Sequence, residues 1–155
     1  MKKLMLRLVV IVMTLQALFF VKPSFVRAED MTCPPPTTVT IDIKPDGYPN
    51  KINLSASGLL PVAVLTTQDF DASQFTPEMA HLSDASIAMN CEGAAAIRWK
   101  LEDVNGDRQL DLVFFFKIQD LDLTSNSTAA TLMAHGSYNS TPTHIVGTDS
   151  VVIKP

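Results

Sequence analysis

Apolar and polar residues alternate along several stretches of the chain, and this pattern predicts β-strands with one buried face. Residues 39–43 alternate in this way, and Ile97, Trp99 and Leu101 alternate with charged residues. Successive side chains of a strand point to opposite faces. We therefore expect a half-buried strand here, with Trp99 in the core and the charged face in water. Further β-rich runs predict strands at residues 59–66, 86–89, 128–137 and 150–153.

One further run is apolar without alternation. Residues 110–118 are almost continuously apolar, as expected of a central strand that is buried on both faces. No stretch of ten or more residues has helical periodicity, and only residues 76–79, with Pro77 at the first position, predict a single helical turn. Six to seven short strands separated by turn residues predict an all-β fold, namely a single antiparallel β-sandwich of Ig-like type.

The N-terminus has the pattern of a secretory signal. Three basic residues among the first seven precede an apolar run that ends at Val21, and the small-residue site Val26-Arg27-Ala28 follows. The run is shorter than the roughly 20 residues that a membrane span needs. Cleavage after Ala28 is therefore favoured over an uncleaved anchor. We expect a secreted or periplasmic protein whose mature form has no membrane attachment.

Removal of residues 1–28 makes the chain strongly acidic. Seven basic and sixteen acidic residues follow Ala28, which gives a net charge of −9 over 127 residues. An acidic surface repels phosphate backbones, so nucleic acid is not an expected partner. The remaining length fits one domain. Residues 29–38 are expected to form a proline-rich arm and residues 39–155 the β-sandwich module.

Both cysteines, Cys33 and Cys91, lie in the expected mature chain. An even number of cysteines in an oxidising compartment predicts a disulfide. A Cys33–Cys91 bridge would tie the proline-rich arm to the module and contribute about 4 kcal/mol by loop closure. Two free thiols or an intermolecular pair are the alternatives. Because there is no C-x-x-C motif, a structural bridge is favoured over redox chemistry.

The strongest candidate chemistry lies between two predicted strands, in the segment "DVNGDRQLD" at residues 103–111. Asp103, Asn105, Asp107 and Asp111 occupy positions one, three, five and nine, and Gln109 offers a backbone carbonyl at position seven. Calcium loops converge oxygen ligands from alternate residues of a tightly wound segment. Three crowded carboxylates also repel each other unless a cation neutralises them. We predict a calcium site; the alternatives are a bare acidic hairpin, turning at Asn105 and the glycine after it, and another metal.

Two positions differ from an EF-hand. Arg108 stands at position six, where glycine is usual, so it must adopt an unfavourable backbone angle and it adds positive charge near the ion. Phe114 stands at position twelve in place of a bidentate glutamate, and a strand follows instead of a helix. The loop is therefore not an EF-hand. We expect weak calcium binding, with a Kd on the order of 10⁻⁴ to 10⁻³ M.

Several short motifs follow one another in one order: Ile41-Asp42-Ile43-Lys44-Pro45, Pro49-Asn50, Ile52-Asn53, Asp69-Phe70-Asp71-Ala72, residues 103–111 and Asp149-Ser150-Val151. In this order they resemble a largely uncharacterised β-module of secreted bacterial proteins, and the resemblance covers residues 40–155. It implies a non-catalytic module, often located at the end of larger extracellular proteins. Asp46-Gly47 and Arg108 differ from the glycines of that module.

Three classes of function are compatible with these features. We expect a non-catalytic, calcium-stabilised structural or interaction module whose partner is an extracellular protein or a glycan. One alternative is a glycan- or ligand-binding module, which an exposed aromatic face with Tyr48 or Tyr138 would favour. The other is a small secreted hydrolase, which would need a cleft that joins a histidine to Asp or Ser side chains. His81, His135 and His144 share no metal-ligand spacing, and each is expected to be a surface or turn residue.

Overall fold

A computed structural model describes residues 35–86 and 92–154. Its regular structure is β-strand apart from two 3-10 turns, at Ala72–Gln74 and Ile118–Asp120. None of the residues described belongs to a helix long and apolar enough to span a membrane. The all-β prediction is confirmed. The strands in this part of the chain are β1 Thr37–Thr38, β2 Ile41–Ile43, β3 Lys51–Asn53, β4 Leu59–Val64, β5 Phe75–Asp84, β6 Ala94–Glu102, β7 Asp111–Lys117, β8 Ala129–Tyr138, β9 Thr141–Ser150 and β10 Val152–Lys154.

Eight of these strands form one curled, mixed sheet, a half-barrel with the order β1-β9-β8-β5-β6-β7-β4-β2. The first pair, β1 with β9, is parallel, and the other neighbours in this sheet are antiparallel. Strands β3 and β10 form a separate parallel pair. Hydrogen bonding therefore runs through one curled sheet, whereas we had predicted two antiparallel sheets facing each other.

The ends of the curled sheet approach each other because β1 and β2 are consecutive in the chain but lie at opposite ends of the strand order. Between these strands, the N–H of Val39 donates to the carbonyl of Val146 at 2.8 Å. Strand β2 also packs against β9, where a Cβ on Gly147 would lie 2.4 Å from Cγ2 of Ile41. The approach of β2 to β9 therefore requires glycine at position 147.

The core lies inside the curl of the sheet. Strand β7 is an interior strand of this sheet, between β4 and β6. Leu112, Phe114 and Phe116 are fully buried, and Val113 on the other face is also buried. Phe115 is the exception, since it is partly exposed. The predicted central strand at residues 110–118 is thus confirmed, with a less buried outer face than we expected.

The predicted helical turn at residues 76–79 is wrong, because these residues belong to β5. Strand β5 pairs with β8 along its length, and the register shifts between Pro77 and Met79. Proline removes a backbone donor and is tolerated in a sheet where the ladder is interrupted. Residues 76–79 therefore form a strand despite their local preference for a helical turn, because they pair with β8, more than 50 positions away in the sequence. Most of strand β9 was not predicted: the predicted strand at 150–153 includes only its last residue. Pro142 and Gly147 interrupt the β pattern of the rest.

The prediction that Trp99 is a core residue is also wrong, since its side chain is 46 % exposed. Strand β5 pairs with β6 only through His81–Ala95 and Leu82–Ala94 and then diverges from it. The later part of β6 therefore has a neighbouring strand at one edge only, namely β7, and this leaves Trp99 half exposed.

Several predictions fall outside the described residues. They are the signal peptide at 1–28, the disulfide between Cys33 and Cys91, and most of the weak strand at 86–89. These remain predictions.

Candidate metal centre

Side chains of the predicted calcium loop wind the backbone between β6 and β7. The carboxylate of Asp103 accepts two backbone N–H groups, from Gly106 at 2.7 Å and from Arg108 at 2.9 Å. A short acidic side chain that accepts N–H groups three and five residues further along pulls the chain into a tight coil around itself. Position one of the loop therefore lies at the centre of the coil.

Positions three and five continue the coil. Oδ1 of Asn105 accepts the N–H of Asp107 at 3.0 Å, and Oδ1 of Asp107 accepts the N–H of Gln109 at 2.8 Å. The amide of Asn105 donates to Oδ2 of Asp107 at 3.1 Å, which joins the two side chains directly. Positions one, three and five thus each stabilise the next part of the loop. Gln109 takes part through its N–H, and its carbonyl is the group that we predicted as a ligand.

Asp111, at position nine, is fully buried. Its Oδ1 accepts the N–H of Thr66 at 2.8 Å, and its Oδ2 accepts the N–H of Val104 at 3.1 Å. The hydroxyl of Thr66 in turn donates to the carbonyl of Leu110 at 2.7 Å. Asp111 therefore fastens the loop to the chain that leaves β4. A buried carboxylate is costly unless it is hydrogen-bonded and neutralised, and both of its oxygens are hydrogen-bonded here.

Arg108 adopts the left-handed conformation that we predicted for position six, with a φ of 70°. Such an angle costs a non-glycine residue roughly 1–2 kcal/mol. Lys100–Glu102, at 2.6 Å, is the ion pair found among the residues described, so Arg108 forms none with them. Arg108 therefore adds positive charge to the loop without neutralising a particular carboxylate.

The ligand atoms that the loop offers suit a hard cation. Asp103, Asn105, Asp107, Gln109 and Asp111 offer only oxygen atoms, which calcium prefers. An ionised carboxylate has about four lone-pair sites, so the hydrogen bonds to Asp103 and Asp111 leave sites on each of them. Within residues 35–86 and 92–154, however, no group of three or more His, Cys, Asp or Glu side chains is arranged to hold a metal ion. The carboxylates of Asp103 and Asp107 are instead directed to backbone N–H groups of the coil. That of Asp111 is directed to the N–H groups of Val104 in the coil and of Thr66 outside it.

A second polar cluster joins Asp149 to two motifs about 100 positions earlier in the chain. Oδ2 of Asp149 on β9 accepts the N–H of Ile43 at 3.0 Å and the side-chain amide of Asn50 at 2.8 Å. Burial, then the charges of Asp149 and Asp46, raise the pKa of Asp42 in the same cluster. Asp149 therefore links β9 to β2 and to the turn before β3, so these motif residues have a structural role. Sequence spacing did not reveal this contact, because the partners are about 100 positions apart.

The three histidines lie on one face of three neighbouring strands, which their spacing did not predict. His135 on β8 is opposite His144 on β9, and their ring centroids are 4.2 Å apart. His81 on β5 is opposite Met133, two residues before His135. Burial, then the neighbouring charges of His144 and His81, lower the pKa of His135, and Glu78 partly opposes them. The neutral form of the His135 ring is therefore favoured.

This lowered pKa predicts a loss of stability in mild acid. The folded protein binds a proton at His135 less tightly than the unfolded chain, whose histidine pKa is about 6.5. Protonation therefore favours unfolding as the pH falls through that value. We expect the melting temperature to fall between about pH 7.5 and about pH 5.5, and to fall less in His135→Gln. Equal slopes in thermal melts of the two proteins would contradict this assignment.

Two other features bear on the alternative functions. Asp84 accepts hydrogen bonds from the hydroxyls of Ser127 and Ser86, which lower its pKa, and it lines an open polar pocket. No histidine is among the described residues that line this pocket.

The ring of Tyr138 stacks on Phe70 at 4.7 Å between centroids, and its hydroxyl accepts a backbone N–H. Tyr138 is therefore engaged within the fold and does not form an exposed aromatic platform.

Comparisons with known proteins return no relative. No family model matches the chain, and neither a curated protein nor a solved structure is significantly similar to it.

Proposed function

We propose that this chain is a secreted, non-catalytic β-module that calcium stabilises outside the cytoplasm, and that it serves as a structural or interaction module. The observation that carries the proposal is the coil of residues 103–111. Asp103, Asn105 and Asp107 each accept backbone N–H groups from residues further along the loop. Arg108 has the left-handed conformation of the residue at position six of a calcium loop.

In the proposed site, Asp103, Asn105, Asp107 and Asp111 supply side-chain oxygens and Gln109 a backbone carbonyl. Calcium neutralises three carboxylates that otherwise repel each other in one short loop. The coil forms the connection between β6 and β7, so the ion stabilises the hairpin at the centre of the large sheet. The positive charge of Arg108 opposes this attraction and keeps binding weak. Weak sites of this kind suit extracellular modules, where calcium is abundant.

The architecture supports a module of sandwich type. We infer that the curled sheet acts as two four-stranded halves, β1-β9-β8-β5 and β6-β7-β4-β2, that share one core. Strands β5 and β6 pair through only two residue pairs, which marks the boundary between the halves. At the opposite ends of the two halves, β2 and β9 come together where Ile41 packs against Gly147. Orthogonal β-sandwiches make such corners with strands that pass between sheets.

The resemblance to secreted bacterial β-modules supports the same proposal. The motif residues Ile43, Asn50 and Asp149 meet in one hydrogen-bonded cluster, and residues 103–111 form the coil. Both groups of motif residues therefore have a folding role in this chain. With a net charge of −9 after residue 28, we propose that the partner is an extracellular protein or a glycan and not a nucleic acid.

The proposal predicts that calcium raises the melting temperature. An ion that prefers the folded state adds RT ln(1 + [Ca]/Kd), about 1 kcal/mol at several times Kd. We therefore expect about 5 mM calcium to raise the melting temperature by about 3–5 °C, and magnesium by less because it requires a tighter octahedral site. Differential scanning calorimetry in calcium, in magnesium and in EDTA measures both responses.

Three variants locate the ion. Asp107→Ala is expected to abolish the calcium response, because it removes the ligand at position five. Arg108→Gly is expected to increase the response by removing a positive charge beside the ion. Asp120→Ala removes an equal negative charge from an exposed position elsewhere and should keep the wild-type response. A wild-type melting temperature that calcium leaves unchanged, or a full response in Asp107→Ala, would contradict the proposal.

A further inference from the structure

The outer edge of β6 lacks a neighbouring strand in the described part of the chain. Strand β6 pairs with β7 from Ala96 to Glu102, but with β5 only at Ala94 and Ala95. From Ile97 onwards, none of the ten strands pairs with its other edge. An unpaired strand edge presents a row of backbone N–H and C=O groups, which is a template for the addition of another strand.

The side chains of this edge strand are apolar on one face. Trp99 and Leu101 are opposite Phe114 and Leu112 of β7, so they extend the core face of the sheet. The rings of Trp99 and Phe114 are 6.3 Å apart between centroids. These two side chains form a half-exposed apolar strip, with exposures of 46 and 45 %. An apolar strip beside an open strand edge is typical of a surface that binds another strand.

We propose that the edge of β6 pairs in antiparallel orientation with β6 of a second copy of this chain. In this arrangement Lys100 lies opposite the partner's Lys100, Arg98 opposite the partner's Glu102, and Trp99 opposite the partner's Leu101. The two-fold axis repeats each contact, so two Arg98–Glu102 pairs cross the interface. The large sheet then continues from one protomer into its partner.

Charge complementarity selects a second copy as the occupant. The charged face of β6 carries Arg98, Lys100 and Glu102, so it is positive at one end and negative at the other. When this strand is reversed against itself, opposite charges meet at both ends. The two lysines at the centre are each neutralised by Glu102 of their own chain, which lies 2.6 Å from Nζ of Lys100. Opposite charges across a strand pair stabilise the pair, and like charges destabilise it.

The charges and the apolar strip together select the register. A shift by one residue would place charged side chains opposite the apolar strip, because neighbouring residues point to opposite faces. A register with Trp99 opposite the partner's Trp99 would place Arg98 against the partner's Lys100 twice. A register centred on Leu101 would pair Lys100 with the partner's Glu102, but it would place Trp99 opposite the partner's Asp103, at the start of the coil. Only the register centred on Lys100 pairs opposite charges at both ends and covers both Trp99 rings with leucine.

The proposed interface does not depend on the calcium site, because its contacts lie within β6. It is small, with about one short strand from each protomer. Interfaces at the low end of the size range are weak, so we expect a Kd on the order of 10 μM. Reversible association at micromolar concentrations is therefore the expected behaviour of the purified protein in EDTA.

Two measurements on the wild-type protein test the association. Sedimentation equilibrium in EDTA, from about 1 to about 200 μM, should show a monomer–dimer equilibrium with that Kd. Trp99 is the only tryptophan, so its fluorescence reports directly on the proposed interface. Its emission should shift to shorter wavelength over the same concentration range, because pairing removes a half-exposed ring from water. A protein that remains monomeric across this range would overturn the proposal.

Charge reversal tests the register. Arg98→Glu and Glu102→Arg should each weaken association by about tenfold or more, because each creates two like-charge contacts across the interface. The double variant restores both opposite-charge pairs with exchanged signs, and the carboxylate at position 98 takes over from Glu102 beside Lys100, so its Kd should return to within about threefold of wild type. Lys117→Glu reverses a charge at an exposed position on β7 and should leave the Kd unchanged. A double variant no better than the single ones would overturn the proposed pairing, and melting curves show that each variant is folded.

Discussion

Asp111→Ala is expected to destabilise the protein by about 2–4 kcal/mol in the absence of calcium. The carboxylate is fully buried and accepts the N–H groups of Thr66 and Val104. Alanine leaves both donors without a partner, which costs about 1–3 kcal/mol at the buried N–H of Thr66 and less at the partly buried N–H of Val104. Relief from burying a charge offsets part of this loss. Urea denaturation in EDTA measures the effect, and the same variant should show no calcium response.

Asp107→Ala is the matched control for this result. Asp107 is exposed and its hydrogen bonds are within the loop, so its loss in EDTA should cost less than about 1 kcal/mol. Both variants lose the calcium response, but only Asp111→Ala loses stability without the ion. The comparison separates the role of the coil in binding calcium from the role of Asp111 in fastening the coil to β4. Equal stabilities of the two variants in EDTA would show that Asp111 does not fasten the loop.

Phe114→Ala is expected to cost about 3–5 kcal/mol, the usual range for a large aromatic residue removed from a core. Phe114 is fully buried in the central strand, and its ring lies beside those of Trp99 and Phe116. Strands β4 and β6 flank this strand in the sheet. Urea denaturation measures this loss too, and the midpoint should shift with little change in slope.

Phe115→Ala removes the same atoms from the opposite face of the same strand. Phe115 is partly exposed, and the guanidinium of Arg98 lies 4.1 Å from its ring centroid. We expect a loss of about 1–2 kcal/mol, from partial burial and one cation–π contact. Similar losses for Phe114→Ala and Phe115→Ala would contradict the placement of the core on one face of β7.

Local chemistry explains what could be predicted from the sequence. The coil of residues 103–111 is held by hydrogen bonds between residues two to seven positions apart. The positive φ of Arg108 follows from its position in that coil, so both features could be predicted without tertiary structure. The central strand at 111–117 was also predictable, because continuous apolar residues favour an interior strand, although the partial exposure of Phe115 was not predicted.

Distant pairing explains what could not be predicted. Residues 76–79 carry a helical cap signal but form a strand, because β8 supplies partners along β5. The half exposure of Trp99 depends on where β5 leaves β6, and the alternation of β6 contains no information about that point. The two-sheet sandwich was an inference from the number of short strands and the turns between them, whereas one curled sheet results from the order in which the strands pair.

The sequence by itself determined that this chain forms strands, that its central strand is apolar on both faces, and that residues 103–111 wind into a coil of oxygen donors. These features depend on neighbouring residues, whose chemistry is visible in the sequence. Tertiary structure alone decided the contact of His135 with His144, the link from Asp149 to Ile43, and the open edge of β6. These features depend on which strands become neighbours, and that choice is made by burial of the whole core.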